Sequence, residues 1–282
     1  MTQPALSAGE KRKAFHALHA SGCFVIPNPW DAGSARYLQS LGFKALASTS
    51  AGMAWALGRP DNQVQREQVL AHLRQIVDAT DLPVNADFES GFGTDAAGVA
   101  ESVALAVETG VAGLSIEDAT GHPAQPLFEL DEAVHRLRAA RRAIDRLGGD
   151  TLLVGRTEGF LCGRPNLDEA LARLQAYAQA GADCLYAPGL QTREQIAAVV
   201  KAVAPKPVNL LIGSSTSGLT VQSAAELGVR RVSVGGALAR SAWGGFMRAA
   251  KLIAEEGRFD AFADAASGME INTLLGAHPA PG

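Results

Sequence analysis

The sequence is poor in most of the features that would mark a specialised chain. It has three cysteines, Cys23, Cys162 and Cys184, scattered too widely for a disulfide framework or a zinc site. Aromatic residues make up only 6% and the formal net charge is only -4, with a pI near 5.9, so there is no basic footprint for nucleic acid or an anionic membrane surface. No apolar run reaches membrane-spanning length without a Gly, a Pro or a charge. The polar stretch 1–21 carries Lys11, Arg12 and Lys13 with no signal-like apolar run behind them, and the expected compartment is the cytoplasm. What is present is ample apolar content, 47%, enough to bury a large core in a globular protein.

The chain repeats one unit. Four predicted helix ends share a junction, Leu41-Gly42-Phe43-Lys44, Thr109-Gly110-Val111-Ala112, Ala180-Gly181-Ala182-Asp183 and Leu227-Gly228-Val229-Arg230, each running at once into an apolar strand. A glycine just past a helix can take the left-handed conformation that ends it, so these read as one recurring turn. Strands are predicted near 23–28, 45–49, 84–88, 113–117, 152–158, 184–188, 208–212 and 231–235. Helices are predicted over 6–20, 31–41, 64–79, 95–109, 130–147, 167–180, 193–203, 221–227 and 239–256. Eight short strands alternating with helices argue for a single parallel (β/α)8 barrel of the TIM type, with a doubly wound open sheet as the alternative. The barrel with its N-terminal helix takes up 1–256, and 257–282 is a C-terminal extension with short helices and a Pro/Gly-rich, mobile end.

The organising stretch is 84–93, Val84-Asn85-Ala86-Asp87-Phe88-Glu89-Ser90-Gly91-Phe92-Gly93. A strand of period two points Asp87 and Glu89 the same way before the glycines turn the chain. The next strand ends on Glu117-Asp118. An all-oxygen cluster at strand ends suits a hard divalent cation such as Mg2+, and the competing reading is that the acids cap a helix or start a turn. In a barrel only residues at the carboxyl ends of strands are eligible for the site. None of the six lysines is among them, which disfavours a Schiff-base aldolase. Arg156 is the one cation at a strand end, able to clamp a substrate carboxylate or to pair with Glu158 or Glu117. His122 is the only histidine in a predicted strand-to-helix loop and is a candidate general acid on a flexible lid, or a solvated loop residue. Cys162 reads as structural. The glycine-rich pieces 213–218 and 235–236 are equally open to phosphate and to ordinary barrel turns.

These residues resemble the isocitrate lyase/phosphoenolpyruvate mutase superfamily. The resemblance rests on Asp87-Phe88-Glu89-Ser90-Gly91-Phe92-Gly93, Glu117-Asp118, Gly155-Arg156-Thr157, Leu57-Gly58-Arg59-Pro60-Asp61 and Asn209, in order from about 24 to 236. It implies Mg2+, or alternatively Mn2+, held by Asp87 with Asp61, Glu89 and Glu117, directly or through water. It further implies Ser48, Thr49 and Ser50 as donors to an α-keto acid, Arg156 on its carboxylate, and Asn209 assisting; Trp30, at the end of the first strand, is a further candidate for substrate contact. Catalytic roles fall to His122, Arg156 and Glu117. The superfamily also tends to exchange its eighth helix, here 239–256, between subunits of a homodimer or homotetramer.

One departure narrows the substrate. The lid reads Thr120-Gly121-His122-Pro123-Ala124-Gln125-Pro126 and lacks the K-[KR]-C-G-H cysteine of isocitrate and methylisocitrate lyases, and the lysine and asparagine expected of C–P bond enzymes. The expectation is a Mg2+-dependent carbon–carbon lyase or decarboxylase of a small 2-keto or 2-hydroxy dicarboxylate. The alternatives are a phosphonopyruvate hydrolase or phosphoenolpyruvate mutase type of enzyme, and a non-catalytic keto-acid-binding barrel.

Overall fold

The structure, a computed structural model, describes residues 6–277. Helix α1 (Ala8–Ala20) leads into β1 (Phe24–Ile26) and α2 (Ala32–Ser40), and β2 (Leu46–Ala47) into α3 (Ser50–Ala56) and α4 (Arg66–Asp78). Then come β3 (Val84–Asp87), α5 (Ala96–Glu108), β4 (Gly113–Glu117), a hairpin of β5 (Ala119–His122) and β6 (Gln125–Leu127), and α6 (Leu130–Arg146). The chain continues through β7 (Leu152–Arg156), α7 (Leu167–Gln179), β8 (Cys184–Tyr186), α8 (Arg193–Val203) and β9 (Val208–Leu211). It ends with α9 (Val221–Glu226), β10 (Arg231–Ser233), α10 (Ala237–Glu256) and α11 (Gly268–Gly276).

Eight of the strands form one parallel sheet in the order β1-β10-β9-β8-β7-β4-β3-β2. The Ala47 N–H donates to the Pro27 carbonyl at 3.0 Å, tying the two ends of that order together. The sheet is therefore a barrel and the open doubly wound alternative falls away. All four junction glycines, Gly42, Gly110, Gly181 and Gly228, have φ between 83 and 104°, the left-handed conformation that ends each helix and releases the next strand. Two elements depart from the sequence reading. The segment after β2 forms the extra helix α3, capped by Thr49, whose Oγ1 accepts from the Gly52 N–H. The lid, expected as a flexible loop, is the antiparallel β5–β6 hairpin.

Burial follows the period of two. Leu153, Leu185, Leu210 and Val232 face outward into the helix layer, while Leu152, Val154, Cys184 and Tyr186 point into the barrel with Ile26 and Phe15. The same alternation carries Asp87, Glu117 and Arg156 to the inside at the carboxyl end. Helix α1 is tied across the opposite end, where the Lys11 ammonium donates to the Thr80 carbonyl and the Arg12 guanidinium to those of Val107 and Val111. Helix α10 buries little for its length: of its 20 residues only Ala239 is buried, and Phe246 and Met247 are about 60% exposed. Beyond it α11 packs against α2. The mobile end expected at the C-terminus lies in 278–282, outside the described residues. Among the described residues no helix is long and apolar enough to cross a membrane.

His19, on α1, is buried edge-on between the Phe15 and Phe24 rings, with Nδ1 2.8 Å from the Phe15 carbonyl and Nε2 without a partner. Burial, aided by Arg231, holds its pKa down at about 3. The folded state keeps this imidazole neutral while the unfolded chain protonates it below about pH 6.5, so stability is full above that pH and is lost as pH falls toward 3. Urea titrations should show wild type losing about 2 kcal/mol more between pH 7 and pH 5 than His19→Gln does. Parallel pH profiles for the two proteins would remove His19 from this role.

Candidate active site

Asp61 comes to the barrel mouth from the loop between α3 and α4, and most of its other side chains arrive from the ends of strands. The backbone of β3 is fixed there by Ser48, whose Oγ accepts from the Asp87 N–H at 2.8 Å. The Asp87 carboxylate takes the Ser50 N–H on Oδ2 at 3.0 Å and Arg156 Nη1 on Oδ1 at 3.1 Å. The Arg156 guanidinium is the hub of the mouth. Its Nε lies 3.2 Å from Glu117 Oε2 and 2.5 Å from Glu158 Oε1, and its plane stands 5.1 Å from the centre of the Tyr186 ring. Both pairings weighed from the sequence, with Glu117 and with Glu158, hold together.

The electrostatics are unbalanced. Asp61, Asp87, Glu89, Glu117 and Glu158 gather around the one guanidinium. Burial, then Asp87 and Asp61, push the Glu89 carboxyl up to about 8. Burial and Asp87 raise Asp61, against the Asn62 N–H and the Ser50 hydroxyl, which hold it down. Burial raises Glu117 well above the usual carboxylate range although Arg156 opposes it. Burial alone would lower the Arg156 guanidinium, and Glu117, Glu158 and Asp87 reverse that, so it stays charged.

A cavity of about 670 Å³ opens over this cluster, lined on its inner wall by Ser50, Asp61, Glu89, Glu117, Arg156 and Glu158. Its outer wall is the hairpin, with His122, Pro123 and Pro126, facing Leu161 and Cys162. His122 is exposed on that rim and its N–H donates to Thr120 Oγ1. Cys162, expected to be structural, is half-buried in this wall, where burial raises its thiol.

Two expected substrate contacts stand elsewhere. Asn209 sits one layer down in the barrel, accepting from Arg231 Nε at 2.8 Å and donating to Ser233 Oγ at 3.0 Å. Trp30 is not among the cavity residues, and its carbonyl is bonded to His72 Nε2. Thr49 is buried as the cap of α3 and lines a small pocket behind Asp87 with Ser48, Ser50 and Glu89. Asp118 turns away from Glu117, as adjacent strand residues must. It is buried outside the mouth, taking Tyr177 Oη at 2.6 Å, Thr157 Oγ1, Arg173 Nη1 and the Glu158 N–H. Glu158, weighed from the sequence only as a partner for Arg156 and given no site role of its own, is part of the cavity's inner wall. Its signal was its position two after Arg156, the spacing that also separates Glu89 from Asp87, although in the structure β3 ends at Asp87 and Glu89 is presented by the left-handed turn that follows.

Among the described residues no group of three or more His, Cys, Asp or Glu side chains is set to hold a metal ion as it stands, because Arg156 bridges Asp87 and Glu117. By donor chemistry the set nevertheless fits a hard divalent cation. Its ligating atoms are all carboxylate oxygens, crowded enough that, after burial, Asp87 raises Asp61 and the two together raise Glu89.

The family model described as phosphoenolpyruvate phosphomutase matches residues 15–254. The chain belongs to the phosphoenolpyruvate mutase/isocitrate lyase superfamily. It is an enzyme of that superfamily, whose matched members include lyases and a decarboxylase. It is 34% identical to 2-methylisocitrate lyase of Escherichia coli K12 over 183 residues, 62% of this chain and 60% of that enzyme's length. It is 33% identical over 233 residues to oxaloacetate decarboxylase of Paraburkholderia xenovorans LB400, covering 79% of this chain and 74% of the other. A crystal structure of a provisionally assigned lyase/mutase from Burkholderia cenocepacia J2315 superposes with a TM-score of 0.91 at 48% identity, covering 94% of this chain and 96% of that one.

Removing the hub should be costly. Arg156→Met leaves the surrounding carboxylates uncompensated and should destabilise the metal-free protein by about 3–5 kcal/mol at pH 8. The raised acids take up protons as pH falls, so the loss should shrink at pH 6. Urea titrations at the two pH values check this, and a pH-independent loss would contradict the charge argument.

Proposed function

We propose that the barrel mouth is the active site of a Mg2+-dependent carbon–carbon lyase or decarboxylase acting on a small 2-keto or 2-hydroxy dicarboxylate. The observation that carries this reading is the excess of buried carboxylate around a single guanidinium beneath a cavity of substrate size. Uncompensated buried acids are expensive to keep unless a cation is to join them. Asp87, with Asp61, Glu89 and Glu117, would hold Mg2+ or Mn2+, which when bound supplies Lewis-acid stabilisation of negative charge developing on the substrate.

The chain's own groups do the rest. Arg156 receives a substrate carboxylate, held in place from behind by Glu158 and Tyr186. Ser50 and the turn that follows β2 offer donors to the keto or hydroxy end. The β5–β6 hairpin narrows access to water. On cleavage of the carbon–carbon bond its electron pair passes to the retained fragment, whose carbon takes a proton from the His122 imidazole. The other fragment leaves as carbon dioxide or, from a 2-hydroxy acid, as a carbonyl compound whose hydroxyl proton passes to a carboxylate of the mouth. The similarity to 2-methylisocitrate lyase and to an oxaloacetate decarboxylase supports this class of chemistry. Helix α10, with Trp243, Phe246 and Met247 left uncovered, supports exchange of this helix in a homodimer or homotetramer.

Purified protein with Mg2+ should release pyruvate or glyoxylate from one of oxaloacetate, substituted malates or isocitrates. Asp87→Ala should abolish that turnover and ion binding with the fold intact, and full activity in this variant would sink the metal assignment. His122→Ala should lower kcat by about 10²–10⁴ with little change in ligand affinity. Phosphate release from phosphonopyruvate would instead move the enzyme to C–P chemistry, and oxalate binding without any turnover would point to a binding barrel. In sedimentation equilibrium the wild type should run as a dimer or tetramer and Phe246→Glu as a smaller species; a wild-type monomer would dispose of helix exchange.

A further inference from the structure

The turn that presents Glu89 is held in a costly conformation. Two of its non-glycine residues lie in the left-handed region, Glu89 at φ 46° and Phe92 at φ 55°, with Gly91 at 89° between them. A side chain there is strained by about 1 kcal/mol or more per residue, so the surroundings must impose the shape. One restraint is Gly93, jammed on the start of α5, where a Cβ would fall 2.2 Å from the Val99 nitrogen. A second is the Glu117 N–H, which donates to the Glu89 carbonyl at 3.0 Å. The third comes from outside the barrel mouth.

Arg136, on α6, is 1% exposed and reaches beneath this turn. Its Nη2 donates to the Ser90 carbonyl at 3.1 Å and to the Gly93 carbonyl at 2.6 Å. The guanidinium stacks 4.3 Å above the Phe128 ring, and its charge is met by Glu132 one helical turn away, at 3.4 Å. Its Nε has no partner. A buried guanidinium with one partly exposed ion-pair partner, and only Asp95 adding a weaker charge, would be hard to explain by ion pairing alone. What it does here is clamp the Ser90 and Gly93 carbonyls, which bracket left-handed Gly91 and Phe92 and the first of which follows Glu89 directly. Two charge-assisted bonds to one turn are of the size needed to offset the strain.

We propose that Arg136 is a positioning residue: by holding the Ser90 and Gly93 carbonyls it fixes the 88–93 turn and so aims the Glu89 carboxylate into the site. It does not line the cavity and touches none of the reacting groups. The part of this concerning Glu89 as a ligand rests on the metal reading given above. The turn-anchoring part does not.

The test uses the full chain with Arg136→Met, which keeps the contact with Phe128 and loses both donors, and Arg136→Lys, which keeps the charge and can serve one carbonyl. Hydrogen exchange followed by mass spectrometry should accelerate at least tenfold across 88–93 in Arg136→Met, with β7 unchanged. Titration calorimetry with Mn2+ alone should show affinity falling by about 10–100-fold, the range for groups that orient metal ligands. Arg136→Lys should recover part of both effects, and kcat should fall more than KM rises. A folded Arg136→Met with wild-type exchange and wild-type Mn2+ affinity overturns the proposal. Failure of both variants to fold also overturns it, assigning Arg136 to the core alone. A wild-type protein that binds no Mn2+, with exchange still accelerated in Arg136→Met, would sink the metal reading and leave the turn anchored by Arg136.

Discussion

One guanidinium sets the geometry of this barrel's mouth. Arg156 reaches Asp87 on β3, Glu117 on β4 and Glu158 beyond its own strand, and it stands over Tyr186 on β8. Four consecutive strands of the barrel are thereby tied at the end where strand-to-helix loops diverge and backbone pairing stops. Like charges that would otherwise repel are held within a few ångströms of one another. Because the acids outnumber the cation, the arrangement remains short of positive charge, and that deficit is what makes the site receptive. Burial first, and then the crowding of like charge, raises the carboxyls of Asp61, Glu89, Glu117 and Glu158.

The barrel around it is economical. Its strands are two to five residues long, so each sends only a few side chains inward, and the charged groups that meet at Arg156 in the mouth come from the ends of β3, β4 and β7. Stability must then come from the helix layer packed on the outward faces and from closure, and closure depends on a backbone bond between Ala47 and Pro27. Two buried polar arrangements support the mouth from outside. Asp118, gripped by Arg173 and Tyr177, holds the Thr157 hydroxyl and the Glu158 N–H and so fixes the segment carrying Glu158. Arg136 does the corresponding work for the turn carrying Glu89. In each case an arginine on an outer helix stabilises the loop that carries an acid of the mouth.

Much of this was legible in the residues. The recurring helix–glycine–strand junction revealed the barrel, and each of its glycines proved left-handed. Period-two spacing separated Asp87 and Glu89 from core-facing Phe88 between them and placed Arg156 among the acids. Other features were hidden for definable reasons. Helix α3 is a short, glycine-containing segment in a stretch that reads as loop, and the prolines at 123 and 126 disguise a hairpin. Asn209 carries no mark to say which layer of the barrel it occupies. Trp30 follows a strand as a site residue would, yet its place is set by packing against α3 and α4. The partners of Asp118 on α7 lie 55 and 59 residues away, beyond any local pattern.

The sequence by itself determined the alternation of elements, the handedness of the turns, the family and the chemical character of the mouth, because each of these is written in local periodicity and residue type. Only the tertiary structure decided which charges meet. Asp87 and Arg156 are 69 residues apart, and their contact depends on strand order and on the stagger of a closed sheet. Coulomb energies fall with distance through the folded protein, and that distance exists only once the barrel has closed.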